Sequence, residues 1–231
     1  QAAGVNLGIV APSDYSQNNP LLIIPMHTNG SGVGNTLPGL VAFPYNGSAA
    51  KTTVLQESEI GSAWGEGYQR SQGRLFVAAF MRRQVGFKDG PGYVYVLDRA
   101  GDSLSLAGSF DLQGIVPANG GPAIDLGSVC RRDNSDGDPD NSCLPLGGVA
   151  ADYTLAAAAG LPSIDLDAYA KVGKMSYGDI DVTEDGNTLW LTNLYQNALI
   201  RVDIRGSNFT SGVKQYPLSA LSGLPSCGDF N

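Results

Sequence analysis

The chain has 231 residues, 42% of them hydrophobic, enough for one large domain with a real core or for two small ones. With 22 acidic residues against 14 basic ones it carries a formal charge of -8. That balance argues against a nucleic-acid or anionic-membrane partner and makes cations the better company. The 31 Gly and 13 Pro, with only 16% charged residues, favour strands and turns over helices, and no stretch reaches the roughly 18 consecutive apolar residues of a membrane span.

In chain order, the first expected unit covers about residues 20–57, where "LLIIPMH" is followed by "PGLVAFPYNG". A second unit, 58–112, holds four expected strands at 63–69, 74–80, 92–98 and 104–112. Residues 113–175 form a long insertion, of a length that is usually functional or disordered. Within it, "DYTLAAAAGLP" predicts a short helix after Asp152, and "SIDLDAYAKVG" a further turn or two capped by Ser163. The third unit, 176–217, holds strands at 178–183, 188–194, 198–204 and 212–217. These are short runs rich in Val, Leu, Tyr and Phe, separated by Gly and Asp turns.

Self-comparison organises these runs. "WGEGYQRSQGRLFVAAF" from Trp64 lines up with "YGDIDVTEDGNTLWLTNL" from Tyr177, with one residue inserted after the turn. In both, an aromatic residue and Gly precede an acid, Glu66 or Asp179, and a turn ending in Gly73 or Gly186 leads into an apolar run. A second strand follows each, "GYVYVLD" and "ALIRVDI". The expected fold is therefore all-β and β-propeller-like, a single domain of about three four-stranded antiparallel blades, with the insertion between the second and third. A sandwich of unrelated hairpins is the alternative.

The stretch "KVGKMSYGDIDVTEDGNTLWLTNLYQNALIRVDI" (171–204) resembles a segment of the propeller region in large secreted bacterial surface proteins, often followed by serine-aspartate-repeat B-type domains. The matching features are Gly178 to Asp181, Glu184 to Gly186 and Asn193 to Tyr195, and "SAWGEGYQRSQGRLFVAAFMRR" looks like the preceding blade. The likeness spans roughly residues 58–205 and implies an extracellular structural or adhesive propeller without a recorded reaction. No B-type domain follows in this sequence. Propellers typically close with four to eight blades, so three would leave edges and apolar faces uncovered. Either further residues of a longer chain complete them, or neighbouring copies do, as a homo-oligomer or filament with "QAAGVNLGIVAP" and "SALSGLPSCGDFN" as candidate donated arms.

The candidate metal site is the acidic stretch "RRDNSDGDPDNSC". Asp136, Asp138 and Asp140 alternate, and Asn141 follows where a calcium loop usually has Gly, so the spacing approximates the start of such a loop. The Ser142 carbonyl is the next expected ligand. The bidentate acid of an EF-hand is missing, since Gly147 stands there, and Asp133 or Asn134 could serve instead. Oxygen ligands without His or free thiolate select Ca2+. A Cys130–Cys143 disulfide would pin the ends of the loop, leaving Cys227 over. A solvated acidic loop flanked by Arg131 and Arg132 is the plain alternative. Three cysteines, and a start at Gln1 rather than Met, suit an oxidising extracellular or cell-surface setting reached by secretion.

A second cation or channel site is expected at Glu66, Asp179 and Asp181, near the start of the innermost strands. Glu66 and Asp179 could instead act as a glycosidase carboxylate pair, or be repeat residues without chemistry. His27 is the sole histidine, which leaves little for a Ser-His-Asp site. "GSGVGN" (30–35) lacks the Lys-Ser/Thr of a phosphate loop, and Ser211 to Lys214 matches a nucleophile pattern by chance. Asn29, Asn46 and Asn208 begin glycosylation sequons. Trp64, Tyr93, Tyr95, Trp190 and Tyr195 read as blade packing, with a glycan-binding platform as the minority view. The expected function is an extracellular, calcium-binding, self-associating structural protein without catalytic residues. A propeller enzyme on glycans using Glu66 and Asp179, or a carbohydrate-binding module, is the alternative.

Overall fold

The computed structural model describes residues 19–29, 35–101, 103–129 and 166–220. Three antiparallel sheets follow one another along the chain. The first is β1 (Leu21–Pro25), β2 (Pro38–Pro44) and β3 (Thr52–Gln56) in that spatial order. A one-turn helix, α1 (Glu57–Ile60), leads into the middle sheet of β4 (Ala63–Gln69), β5 (Arg74–Ala79), β6 (Tyr93–Ala100) and β7 (Ser103–Asp111), each beside its predecessor. A second one-turn helix, α2 (Leu166–Tyr169), precedes the last sheet. That sheet runs β8 (Tyr177–Val182), β9 (Thr188–Asn193), β10 (Ala198–Asp203) and β11 (Lys214–Pro217).

The protein is thus all-β, and the eight strands expected in the second and third units are present to within two residues at every end. The first unit is corrected: among the described residues it holds three strands, not four. The α2 turn falls within the segment expected to continue helically after Ser163, while Ser163 itself, the helix expected after Asp152, the acidic loop and all three cysteines lie outside the described residues.

The two central strands of the middle sheet are covered on both faces, and their sequence says why. "LFVAA" of β5 and "VYVL" of β6 are unbroken apolar runs, and every one of these residues is buried. Successive strand side chains point to opposite faces. One face carries Leu75, Val77, Tyr95 and Leu97, which cluster with Ile23, Leu40 and Leu55 of the first sheet. The other carries Phe76, Ala78, Val94 and Val96, which cluster with Leu189, Leu191, Ile200 and Val202 of the last. Fully burying one such side chain contributes about 1.5–3 kcal/mol. In the last sheet β10 alternates strictly between buried and half-buried, so only one of its faces is covered.

Glycine spacing brings the inner strands together. A methyl group on Gly65 would stand 3.0 Å from the Ile180 nitrogen, and one on Gly67 would stand 3.1 Å from Val182 Cγ2 and 3.2 Å from Leu189 Cδ1. The alternation G-E-G therefore turns a bare backbone toward β8 and the Glu66 side chain away from it. Hydrogen bonds fix the approach. Gln69 Nε2 donates to the carbonyls of Gly186 (2.8 Å) and Ile204 (3.0 Å), Ser176 Oγ to those of Ala79 and Pro91, and Tyr177 OH to that of Gly92.

The first part of the insertion is core rather than excursion. Ile124 and Leu126 are buried in the cluster between the middle and last sheets. Side-chain amides lock this segment down: Asn193 Nδ2 donates to the Asp125 carbonyl, Gln196 Nε2 to that of Ala123, and Asn119 pairs with the Gln215 backbone in both directions.

Candidate functional site

Where β1, the end of β4 and the β8–β9 turn converge lies a cleft of about 970 Å³. Strands β1, β4 and β8 are each the first strand of their sheet and lie at its edge. Leu21, Leu22 and Ile23 of β1, with Leu75 and Leu104 of the middle sheet, form an apolar wall. Glu66 and Tyr68 project into it from β4. They stand opposite Val77 and Leu75, on the face that meets the first sheet. The rim is mixed in charge: Arg70 and Arg99 on the middle sheet, Glu184 and Asp185 on the β8–β9 turn.

Glu66 is the chemically distinctive group. Its Oε1 is sealed from solvent and has no hydrogen-bond partner. Burial raises its carboxyl from the ordinary range to about 7. Tyr68 beside it is 41% exposed, an aromatic ring open to the cleft. Asp185 is occupied within its own turn, accepting from Thr183 Oγ1 and from both the backbone and side-chain nitrogens of Asn187, and these bonds hold it below the usual carboxylate range.

A second buried acid lies outside the cleft. Glu57, the first residue of α1, is wholly buried and neither carboxylate oxygen has a hydrogen-bond partner. Burial pushes it up to about 8, with nearby Arg82 pulling the other way. The Arg82 guanidinium lies 5.3 Å from the Trp64 ring centroid and 5.9 Å from that of Phe80, and donates to the Met26 carbonyl.

The pairing of strands corrects the expected match between Glu66 and Asp179. In the β4–β5 hairpin Gln69 pairs with Arg74, and in the β8–β9 hairpin the Thr183 N–H bonds the Thr188 carbonyl. Matching these hairpins makes Arg74 equivalent to Thr188, Phe76 to Trp190 and Val77 to Leu191. Glu66 then corresponds to Ile180, which stands opposite Leu191 in the core. The inserted residue is absorbed by the turn, and a one-residue slip exchanges the faces of the strand. Asp179 falls in a bulge, where Thr192 Oγ1 accepts from the backbone of Gly178 and Asp179.

The three carboxylates are therefore not brought together. Glu66 lines the cleft, while Asp179 and Asp181 are exposed and outside its lining. Among the described residues no three His, Cys, Asp or Glu side chains gather to hold a metal. Asp133, Asn134, Asp136, Asp138, Asp140 and Ser142 lie outside those residues, as do Cys130 and Cys143.

Other sequence candidates resolve individually. His27 is exposed, its Nε2 3.3 Å from the Arg83 carbonyl. Asn46 and Asn208 accept hydrogen bonds inside their own turns, from Ser48 N and Thr210 Oγ1. Tyr95 is core, as expected, whereas Trp64 and Tyr195 are 56% and 53% exposed, with the Trp64 ring 6.1 Å from that of Phe80. Sequence reasoning passed over Tyr68, Arg70 and Arg99. Tyr68 and Arg70 alternate with Glu66 along β4 and into its turn, which is the available signal, whereas Arg99 arrives from β6 and has no local one.

No protein-family model matches the chain. It is similar to Colossin-D of Dictyostelium discoideum, 25% identical over 210 residues, which cover 86% of this chain and 19% of that protein. It is also similar to Colossin-B of the same organism, 22% identical over 218 residues, covering 91% of this chain and 5% of that one. The chain thus spans a small part of either relative. Among solved structures, a putative 6-phosphogluconolactonase from Bacteroides uniformis aligns over 83% of this chain and 52% of its own, at 13% identity and a TM-score of 0.33, a level that assigns neither fold nor activity.

Proposed function

We propose that the chain is a structural module of an extracellular, propeller-like protein, that it self-associates through the open faces of its sheet stack, and that it works without catalysis. The observation that carries this reading is the equivalence of Trp190 with Phe76. Phe76 is wholly buried against the next sheet, whereas Trp190, on the corresponding face of the last sheet, is only half-buried. Around it stand Tyr216, 5.9 Å away between ring centroids, and Leu199, with Arg201 and Asp181 beside them. An apolar centre with a polar margin is the anatomy of an association surface.

At the other end of the stack, Leu22 and Ile24 are exposed beside half-buried Phe43, while Val41, opposite Ile24, is buried. Contact between the last sheet of one copy and the first of the next would repeat the way the middle sheet meets its neighbours. Such a head-to-tail contact need not close, and would then grow a filament. The resemblance to secreted bacterial surface proteins supports the extracellular setting. Among the described residues no helix is long and apolar enough to cross a membrane. In this reading the acidic loop from Asp133 to Ser142 holds Ca2+, clamped by a Cys130–Cys143 disulfide.

Sedimentation velocity and negative-stain microscopy of the full chain, with and without EGTA, test this. We expect concentration-dependent assembly, weakened by Trp190→Asp and by Leu199→Lys, and a lower melting temperature in EGTA. A monomer at all concentrations would end the assembly reading, and an unchanged melt in EGTA the calcium reading.

A further inference from the structure

We propose that the cleft between the inner strands binds a neutral carbohydrate chain. The cleft lies at the upper end of the roughly 300–1,000 Å³ typical of ligand pockets, room for an extended ligand rather than a single small ion. Its walls pair apolar side chains with a small number of convergent polar ones, and each kind of group narrows the choice.

The rim argues against a charged ligand. A polyanion drawn to Arg70 and Arg99 would meet Glu184 and Asp185, and a polycation would meet the two guanidinium groups. An uncharged ligand avoids both repulsions. The Glu66 carboxyl makes a compatible demand from inside: it lines the cleft with one oxygen lacking a hydrogen-bond partner, and a hydroxyl, which both donates and accepts, can meet a carboxyl in either protonation state. Tyr68 supplies an exposed aromatic ring beside that carboxyl, the surface on which the C–H face of a sugar packs while its hydroxyls reach polar neighbours. Ser71 and Thr183 add hydroxyl groups to the lining. The cleft lies at the edge strands β1 and β4 of two sheets. The proposal stands whether or not copies of the chain associate.

The test uses the full chain on an array of neutral and anionic saccharides, followed by calorimetric titration with maltohexaose, cellohexaose and the N-acetylglucosamine hexamer. At least one neutral hexasaccharide should bind at millimolar concentration or below. Glu66→Leu, which keeps the volume but not the hydrogen bonds, should weaken binding about tenfold or more while leaving the melting temperature unchanged or higher. Tyr68→Ala alters an exposed side chain, so it reports on binding even if Glu66→Leu fails to fold, and it too should weaken binding severalfold. The proposal is overturned if no neutral saccharide binds, if binding ignores the folded variants, or if heparin binds more tightly than every neutral glycan.

Discussion

The middle and last sheets share strand order, hairpin plan and one buried face, yet differ in what the second face meets. In the middle sheet, Phe76, Val94 and Val96 are sealed by the sheet that follows. Their equivalents in the last sheet are Trp190, Leu199 and Arg201, all half-buried. Size and aromaticity persist at the centre, while a guanidinium replaces a valine one strand away. A repeated unit can thus keep its backbone geometry and register its place in the stack through two or three side chains. The covered unit reads as an unbroken apolar run, and the terminal unit as an alternating one.

Substitutions at equivalent positions break this comparison most sharply. Phe76→Ala should cost about 3–5 kcal/mol in urea unfolding, because a fully enclosed ring leaves a cavity between two sheets. Trp190→Ala, its counterpart, belongs at the other end of the scale, at about 1 kcal/mol or less for the monomer. Equal losses at the two sites would mean that the outer face of the last sheet is covered after all.

Acidity provides the next largest contrast. Glu57 and Glu66, both toward the first sheet, have folded-state values of about 8 and about 7 against an ordinary 4.5. Between those limits the native chain holds more protons than the unfolded one, so stability must fall as pH rises from about 5 to 8. Each group contributes at most about 1.4 kcal/mol per pH unit within its own window. Glu66→Gln should flatten the slope below about pH 7 and raise stability at pH 8 by roughly 1–3 kcal/mol. A melting temperature that climbs with pH over this range would refute the burial of both acids. A smaller effect is expected from Gly67→Ala, at roughly 1–2 kcal/mol, since the new methyl presses on Val182 and Leu189 side chains that can give slightly. Gly65→Ala, facing backbone at the Ile180 nitrogen, should cost more than Gly67→Ala in the same assay.

Much of the architecture was legible. Gly and Asp turns bracketed eight strands, and apolar continuity in "LFVAA" and "VYVL" marked the sheet that would lie between two others. Face assignment at β8 was not legible, because the inserted residue could be placed before or after the turn, and only the backbone pairing of Thr183 with Thr188 decides. The segment after β7 was read as excursion since "QGIVPANGGPAIDLGSV" has neither helical nor strand period. Its hold on the core comes from scattered apolar residues, Ile124, Leu126 and Val129, and from amides that find partners far along the chain. Of the site, Glu66 was visible as an acid near an inner strand. Its isolation was not, since an unpartnered carboxyl is a property of what surrounds it. By contrast, "TNLYQN" carried a local meaning: Asn193 Oδ1 accepts from the backbone of Tyr195 and Gln196 and shapes the turn into β10.

The anchoring of residues 113–126 has a practical corollary for anyone who wishes to shorten this protein. Removing the whole stretch from Gln113 to Met175 would tear out Ile124, Leu126 and Val129 with their neighbours, and would take from Asn193 its bond to the Asp125 carbonyl and from the Gln215 backbone its pairing with Asn119. A deletion confined to residues 130–165 would leave every one of those groups in the chain, while removing the stretch proposed above to hold Ca2+, and so would separate the loss of that ion from the loss of the core.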